Sequence, residues 1–415
     1  MLTVARARHA TAREKDMNNA SADILICGGG IIGLTVAREL VRAGRTDIVI
    51  IEKERALGEH ASGRNSGVLH AGIYYTPDSM KAKSCLAGNR LMKEYCREKN
   101  LPLRESGKVI VAKNEGEIAT LHELHARALK NSARVELIDE KQLASIEPNA
   151  RTSGKALLAH DTAVVDPKAI LKKLSDELVA SNKVSILLGT EFRGLKTDRT
   201  VATNRGDICF QFFINAAGAF SDTVASAFGL QHHYRLIPFK GMYKKLARNN
   251  HYNINSNIYP VPDLRNPFLG VHFTKTITGD VYLGPTAIPA LGRENYGLVK
   301  GADSELFDIL WREAVLFCVN PKFRTVALSE PKKYIQKNFF NDARKLVREL
   351  MPQDVIASHK VGIRPQLVDW KKKELVMDFL VVKDGNSIHI LNAISPAFTS
   401  SMYFAGFIVK EYVNN

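Results

Sequence analysis

The chain has 415 residues, 45% hydrophobic and 24% charged, a globular composition that excludes disordered, collagen-like and disulfide-scaffold classes. Its five cysteines include no C-x-x-C pair, so neither a disulfide framework nor a structural zinc site is expected, and a reducing compartment is the default. Lys and Arg (58) outnumber Asp and Glu (43) for a net charge of +15; these basic residues are scattered rather than interleaved with aromatics, which points away from nucleic acid and towards anionic small molecules or an anionic membrane surface.

The first 16 residues carry Arg6, Arg8, Arg13 and Lys15 beside Glu14 and Asp16. They lack the apolar core of a secretory signal, and the acids intrude where mitochondrial presequences avoid them. A flexible tail over 1–21, or a start at Met17, is therefore favoured over a leader. The expected location is cytoplasmic, with peripheral contact at the inner face of a membrane compatible, and mitochondrial if the leader reading holds. No run of 18 apolar residues exists: Ile24 to Ala37 is glycine-rich and stops at Arg38.

Asp23 to Cys27 reads as a strand, Ile31 to Ala43 as a helix stopped by Gly44, and Asp47 to Ile51 as a second strand ending at Glu52. A glycine-rich loop, His60 to Gly72, follows, then a helix over about 79–99, a strand over 103–112 and a helix over 115–130. Helix 167–180, strand 184–188 and the apolar strand 208–215 restore the alternating pattern. Residues 235–290 are β-branched, aromatic and broken by prolines, as in an antiparallel sheet. Residues 303–350 read as helical; strands over 376–383 and 387–391 precede a last helix after Pro396. The expected architecture is α/β (α+β overall). A discontinuous dinucleotide domain (22–85, 150–234 and 355–415) carries an inserted, mostly antiparallel substrate domain (86–149 and 235–354).

Gly28-x-Gly30-x-x-Gly33 lies between the first strand and helix. Gly28 allows the tight turn, Gly30 lets backbone approach a pyrophosphate, and Gly33 lets the helix pack on the strand. Glu52, 19 residues past Gly33 at a strand end, is placed for a ribose diol. Together these mark a Rossmann-like unit. A nicotinamide enzyme would next close a second βαβ half. This chain instead enters Gly63-Arg64-Asn65-Ser66-Gly67-Val68-Leu69-His70-Ala71-Gly72, small residues able to lie against a flat ring.

These features, with GRNSGVLHAGIYYTPDSMKAKSC (63–85), INAAGAFSD (214–222), PFKGMYKKL (238–246), IYPVPDLRNPFLGVHFT (258–274), GIRPQL (362–367) and NAISPAFTSS (392–401), resemble the FAD-dependent oxidoreductases of the D-amino-acid oxidase superfamily. Within it the chain is most similar to the L-2-hydroxyglutarate dehydrogenases/oxidases. The resemblance implies oxidation of an (S)-2-hydroxy dicarboxylate, L-2-hydroxyglutarate, to its 2-oxo acid, with hydride passing from C2 to flavin N5 and electrons going on to quinone or oxygen. The expected cofactor contacts are Gly28, Gly30, Ile32, Gly33, Glu52 and Lys53; Arg64, Asn65, Ser66 and Gly67 in the loop; Ala217 and Gly218; and Ser395, Pro396 and Thr399 at the last helix. No cysteine follows Cys318, which excludes the C-terminal cysteinyl linkage of related amine oxidases; His70 is open to a histidyl linkage, in which case it could not also be the base, and the expectation is non-covalent FAD.

A base working near neutrality should be a histidine: His70, directly after the flavin loop, is preferred and His272 stands second. Arg364 suits a bidentate carboxylate clamp, Lys240 is a candidate for the second carboxylate, and Tyr74, Tyr75 and Tyr259 can donate hydroxyl hydrogen bonds. No metal is expected. The alternatives are an oxidase or dehydrogenase of a D-amino or N-methyl amino acid, and a non-catalytic flavoprotein that serves as a binding partner.

Overall fold

The computed structural model describes residues 20–230, 233–248, 253–263, 269–297, 301 and 305–414. The leader question (1–16) and residues 264–268 of the IYPVP stretch lie outside them. Ala20 and Ser21, expected in the tail, already pair with Ile208 and Cys209 in the first strand.

The opening strand, Ala20–Cys27, lies between Ile48–Glu52 and Gly206–Asn215, all parallel; Val184–Leu188 and Ser387–Ile390 extend the parallel set on either side. Ile24 and Ile26 point into one core, Leu25 and Cys27 into another. Both faces are buried, which is why the run shows no polar alternation. Helix Ile31–Arg42 buries Leu34, Val36 and Leu40 on this sheet, each fully buried side chain contributing about 1.5–3 kcal/mol. An antiparallel hairpin, Phe192–Thr197 with Thr200–Thr203, and the short strand Val381–Asp384 complete eight strands.

A ten-stranded sheet forms the second layer. It is mostly antiparallel, with one parallel pair, Asn257–Pro260 beside Lys108–Val111. Its longest pairing joins Tyr234–Leu246 to Val355–Asp369 and sets Phe239 opposite Arg364.

The sequence-based division needs three corrections. Val355–Asp369, assigned to the dinucleotide segments, belongs to the ten-stranded sheet. Lys155–Ala159, likewise assigned there, pairs with Lys108–Val111 and Val135–Asp139 in that same sheet. Helix Met80–Glu98, assigned largely to the insertion, packs Met92, Tyr95 and Cys96 into the core under the parallel sheet. In each case local pattern located the element, but partners distant in sequence decided its layer. The expected strand over 376–383 is also shorter, Val381–Asp384.

A buried ion pair spans the seam between the layers. Arg293 donates to Asp222 Oδ2 at 3.1 Å and to Glu305 at 2.6 Å, and Asp222 also accepts from the Leu236 backbone at 3.0 Å. Asp222 and Arg293 are both buried. Breaking such a pair leaves an uncompensated buried charge. Arg293→Ala should lower the urea unfolding free energy by about 3–5 kcal/mol, and Arg293→Met with Asp222→Asn should recover part of it. An unchanged midpoint in Arg293→Ala would contradict the pair's role.

Candidate active site

The glycine turn is shaped by close backbone approach. Gly28 has φ +113°, and a Cβ there would meet the Ala216 carbonyl oxygen at 2.4 Å. At Gly33 a Cβ would lie 2.0 Å from the Gly28 oxygen, so this glycine sets helix–strand contact and is not itself on the cavity wall. The helix that follows has no side-chain cap from Gly30; Ser62 accepts from Ile31 N at 2.9 Å. Glu52 accepts from Gly29 N at 2.9 Å and Glu54 N at 3.0 Å, which pins its carboxylate at the strand end.

From this turn a cavity of about 940 Å³ runs between the two sheets. Of the expected cofactor contacts, Gly28, Gly30, Ile32, Glu52, Lys53, Arg64, Asn65, Ser66, Ala217, Gly218, Ser395, Pro396 and Thr399 line it. Gly67 does not; its φ of +75° and a Cβ position 2.5 Å from the Val165 oxygen make it a shape-setting residue of the loop. Asn65 closes that loop by accepting from Gly67 N at 2.8 Å and donating to the Ser62 oxygen at 2.7 Å. Arg64 lies over the Tyr296 ring at 4.1 Å. A backbone cradle with no room for side chains, leading to a helix start whose own N-cap residue is a glycine and to a pinned acid, fits an elongated dinucleotide such as FAD.

Lys53 donates to Glu54, Glu294 and, at 3.0 Å, to His60 Nε2. Glu54, His60 and Glu294 have metal-like spacing, but the Lys53 ammonium supplies the positive charge at their centre.

The far end of the cavity gathers His70, Tyr74, Tyr75, Tyr259, His272 and Arg364. Thr399, in the last helix, accepts from His70 N at 3.2 Å, while Asn89 donates to the His70 oxygen at 3.0 Å. These bonds fix the backbone and aim the ring, whose Nδ1 is buried without a hydrogen-bond partner. Burial holds the His70 pKa well below its usual value, with Lys108, His272 and Arg364 adding to the effect. His272 bonds the Gly270 oxygen through Nδ1 at 2.8 Å and lies against the Tyr259 ring, centroids 3.9 Å apart. With Nδ1–H donating, Nε2 carries the lone pair. Burial and the nearby cations, opposed by the Gly270 bond, bring its pKa down to about 3. Burial likewise raises the Tyr74 and Tyr75 hydroxyls well above their usual range. Among the described residues, no carboxylate pairs with Arg364.

Lys240 is a correction. Its ammonium donates to Asn295 at 2.8 Å and to the Gly297 oxygen at 2.7 Å, and the residue lies off the cavity wall. It tethers the 291–297 segment and is not free to take a second carboxylate.

Two lysines escaped the sequence reading. Lys108 is fully buried and its Nζ has no hydrogen-bond partner. It sits 4.6 Å from the Tyr74 ring centroid and 4.7 Å from that of Tyr259, and burial lowers its pKa to about 7. The available signal was a lone lysine opening the apolar run KVIV (108–111). Lys81 is also buried, lines the cavity and is lowered by burial to about 8. It was visible only as one of many basic residues.

The model of the FAD dependent oxidoreductase family matches residues 23–410. The chain belongs to this family. Curated relatives agree over nearly the full length: the mitochondrial L-2-hydroxyglutarate dehydrogenase of Bos taurus is 34% identical, covering 95% of this chain and 89% of that protein. The human protein of the same name is 33% identical, covering 98% and 92%. A bacterial L-2-hydroxyglutarate dehydrogenase, from Indibacter alkaliphilus, is 34% identical, covering 93% and 98%. The fold of this oxidoreductase is shared with the FAD-bound L-α-glycerophosphate oxidase of Mycoplasma pneumoniae (TM-score 0.73, 22% identity, 94% and 95% covered). It is shared too with the glycine oxidase of Geobacillus kaustophilus (TM-score 0.70, 17% identity, 95% of each chain). FAD is thus the cofactor, and the architecture is the mixed α/β fold of these enzymes.

Lys108 carries a stability consequence in this oxidoreductase. It holds its proton up to pH about 7 when folded, against 10.5 unfolded. Between those values the unfolded chain binds the extra proton, so stability rises with pH across that window, and below it the whole cost of the buried ammonium remains. Lys108→Met should therefore unfold at higher urea than the parent at pH 7, and its midpoint should rise less towards pH 10. A variant less stable at pH 7 with an unchanged slope would contradict this.

Proposed function

We propose that this FAD-dependent oxidoreductase converts L-2-hydroxyglutarate to 2-oxoglutarate, the eight-stranded sheet holding the cofactor, the ten-stranded sheet supplying Arg364, Tyr259 and His272, and the flavin loop with the residues after it supplying His70, Tyr74 and Tyr75. The observation that carries the reading is the far end of the cavity, where Arg364 has no acidic partner among the described residues and two histidines are held neutral. The names of the relatives support the same substrate.

Bound FAD supplies the acceptor for the hydride that leaves C2. The protein's own groups do the rest. Arg364 clamps one carboxylate of the substrate, and charge-assisted hydrogen bonds of this kind contribute about 1.5–3 kcal/mol each. Lys108, behind Tyr74 and Tyr259, adds positive field without a direct contact. His70 takes the proton of the C2 hydroxyl, and His272 Nε2 is the second acceptor that orients it. Burial and the cations hold both histidines neutral, the state a base requires. Incoming carboxylates offset the cationic part of that field and raise both affinities for a proton as the substrate arrives. Tyr74, Tyr75 and Tyr259 keep their protons and can donate to the carboxylates.

An amino-acid substrate fits less well, because its ammonium would meet Arg364 and Lys108. Electrons leave for quinone or oxygen.

Under anaerobic conditions L-2-hydroxyglutarate should bleach the flavin, while its D enantiomer, L-lactate, sarcosine and D-alanine should not; bleaching by an amine alone would overturn the substrate. Arg364→Ala should raise KM for L-2-hydroxyglutarate about 10- to 100-fold. His70→Ala should slow flavin reduction by about 10²- to 10⁴-fold with FAD retained. If His272→Ala shows that loss and His70→Ala does not, the base is His272.

A further inference from the structure

A second cavity, of about 290 Å³, adjoins the flavin loop and shares Gly58, Glu59 and Arg64 with the main one. Two glycines of the loop meet there backbone to backbone: a Cβ on Gly63 would lie 2.0 Å from the Gly58 oxygen. The polar groups on the remaining wall come from three other elements. Strand Val355–Asp369 brings Lys360, strand Val281–Gly284 brings Tyr282, and helix Pro167–Ala180 brings Lys168.

Three cations thus line one small cavity, and none has a carboxylate partner among the described residues. Lys360 is the most withdrawn of them. Its Nζ stands 4.7 Å from the Tyr282 ring centroid and 5.2 Å from that of Tyr243, and burial lowers its ammonium to about 8. Aromatic faces offset part of the cost of that burial but do not replace a counter-ion. Arg64 donates through Nε to the Glu59 oxygen and lies over Tyr296. Lys168 is exposed at the cavity's edge. Glu59 is the one acid among the lining residues, and its exposed carboxylate is ion-paired to none of the three.

Two ammonium groups, a guanidinium and a tyrosine hydroxyl are all donors, and charged donors of this kind recognise oxygen-rich anions. The volume suits a compact anion and is too small for a nucleotide. The place also matters. Tyr243, against which Lys360 packs, lines the main cavity and is hydrogen-bonded to Arg364. An anion held here would lie behind the arginine of the substrate end and beside the flavin loop.

We propose that the cavity lined by Lys360, Lys168, Arg64 and Tyr282 is a second anion site, separate from the substrate end, that takes a compact multivalent oxyanion of the phosphate or polycarboxylate kind. The proposal goes beyond the reaction and does not rest on its substrate.

Inorganic phosphate and citrate, titrated separately into the oxidised holoenzyme in low-salt buffer at pH 7, should each give saturable calorimetric binding. The tighter of the two assigns the source of the anion. Lys360→Gln should weaken binding about tenfold or more, and Lys168→Gln, at the exposed edge, about two- to fivefold. Glu59→Gln should strengthen it, and Arg364→Ala should leave it in place. In the unsubstituted holoenzyme at pH 8, the tighter anion should slow acetylation of Lys360 by acetic anhydride at least threefold. Peptide mass spectrometry reads that rate, against chloride at equal ionic strength, so the test survives a variant that folds poorly. Binding that Lys360→Gln leaves unchanged, or that Arg364→Ala abolishes, would overturn the proposal. Acetylation of Lys360 at the same rate with and without the anion would overturn it as well.

Discussion

The cavity's far end buries positive charge without acid to balance it. Arg364 has no carboxylate partner among the described residues, and Lys108 lies between two tyrosine rings with its ammonium unbonded. Aromatic faces offset part of the cost of burying an ammonium, about 2 kcal/mol when desolvated. They do not replace a counter-ion. A dianion does, and the remaining features follow from this. Both histidines are kept neutral and therefore able to accept a proton, and the tyrosines stay protonated and able to donate one. In the proposed reaction this cationic field selects against a substrate carrying an ammonium.

Holding that arrangement takes both sheets. Arg364 comes from a long strand of the antiparallel sheet, and Gly362 on the same strand passes 3.3 Å, measured from a Cβ placed there, from the Arg64 carbonyl of the flavin loop. His70 comes from the parallel-sheet side and is fixed by Thr399 of the last helix. Gly88 lets helix Met80–Glu98 cross that helix closely, since a Cβ would meet the Thr399 oxygen at 2.4 Å. The Asp222–Arg293 pair locks the seam. The proposed substrate groups and the cofactor cradle thus share one cavity because elements remote in sequence are pinned to one another.

Much of this was legible from residues alone where chemistry is local. The Gly28 turn, Glu52 and the flavin loop announce themselves because a backbone cradle needs glycines and a ribose needs an acid at a fixed spacing. Asking what the reaction requires singles out His70, His272 and Arg364, and the fold brings all three to one cavity. Lys240 answered the same question wrongly, because only the fold brings Asn295 and Gly297 to its ammonium. Lys108 was missed because it opens an apolar strand, and nothing local says that its head is buried between Tyr74 and Tyr259. The strand Val355–Asp369 was placed in the wrong layer for a related reason: strand partners are chosen across hundreds of residues. A place where a local rule is broken, a buried lysine with no hydrogen-bond partner, coincides with the proposed chemistry.

The charge imbalance around Arg364 and Lys108 is tested most directly by proton uptake on binding. Titrating 2-oxoglutarate calorimetrically into the oxidised holoenzyme at pH 8, in buffers of different ionisation enthalpy, gives the number of protons taken up with the dianion. With Lys108 poised at about 7, the parent should take up part of a proton on binding, and Lys108→Met should take up distinctly less. Binding heats that do not depend on the buffer, or a net release of protons, would contradict the account.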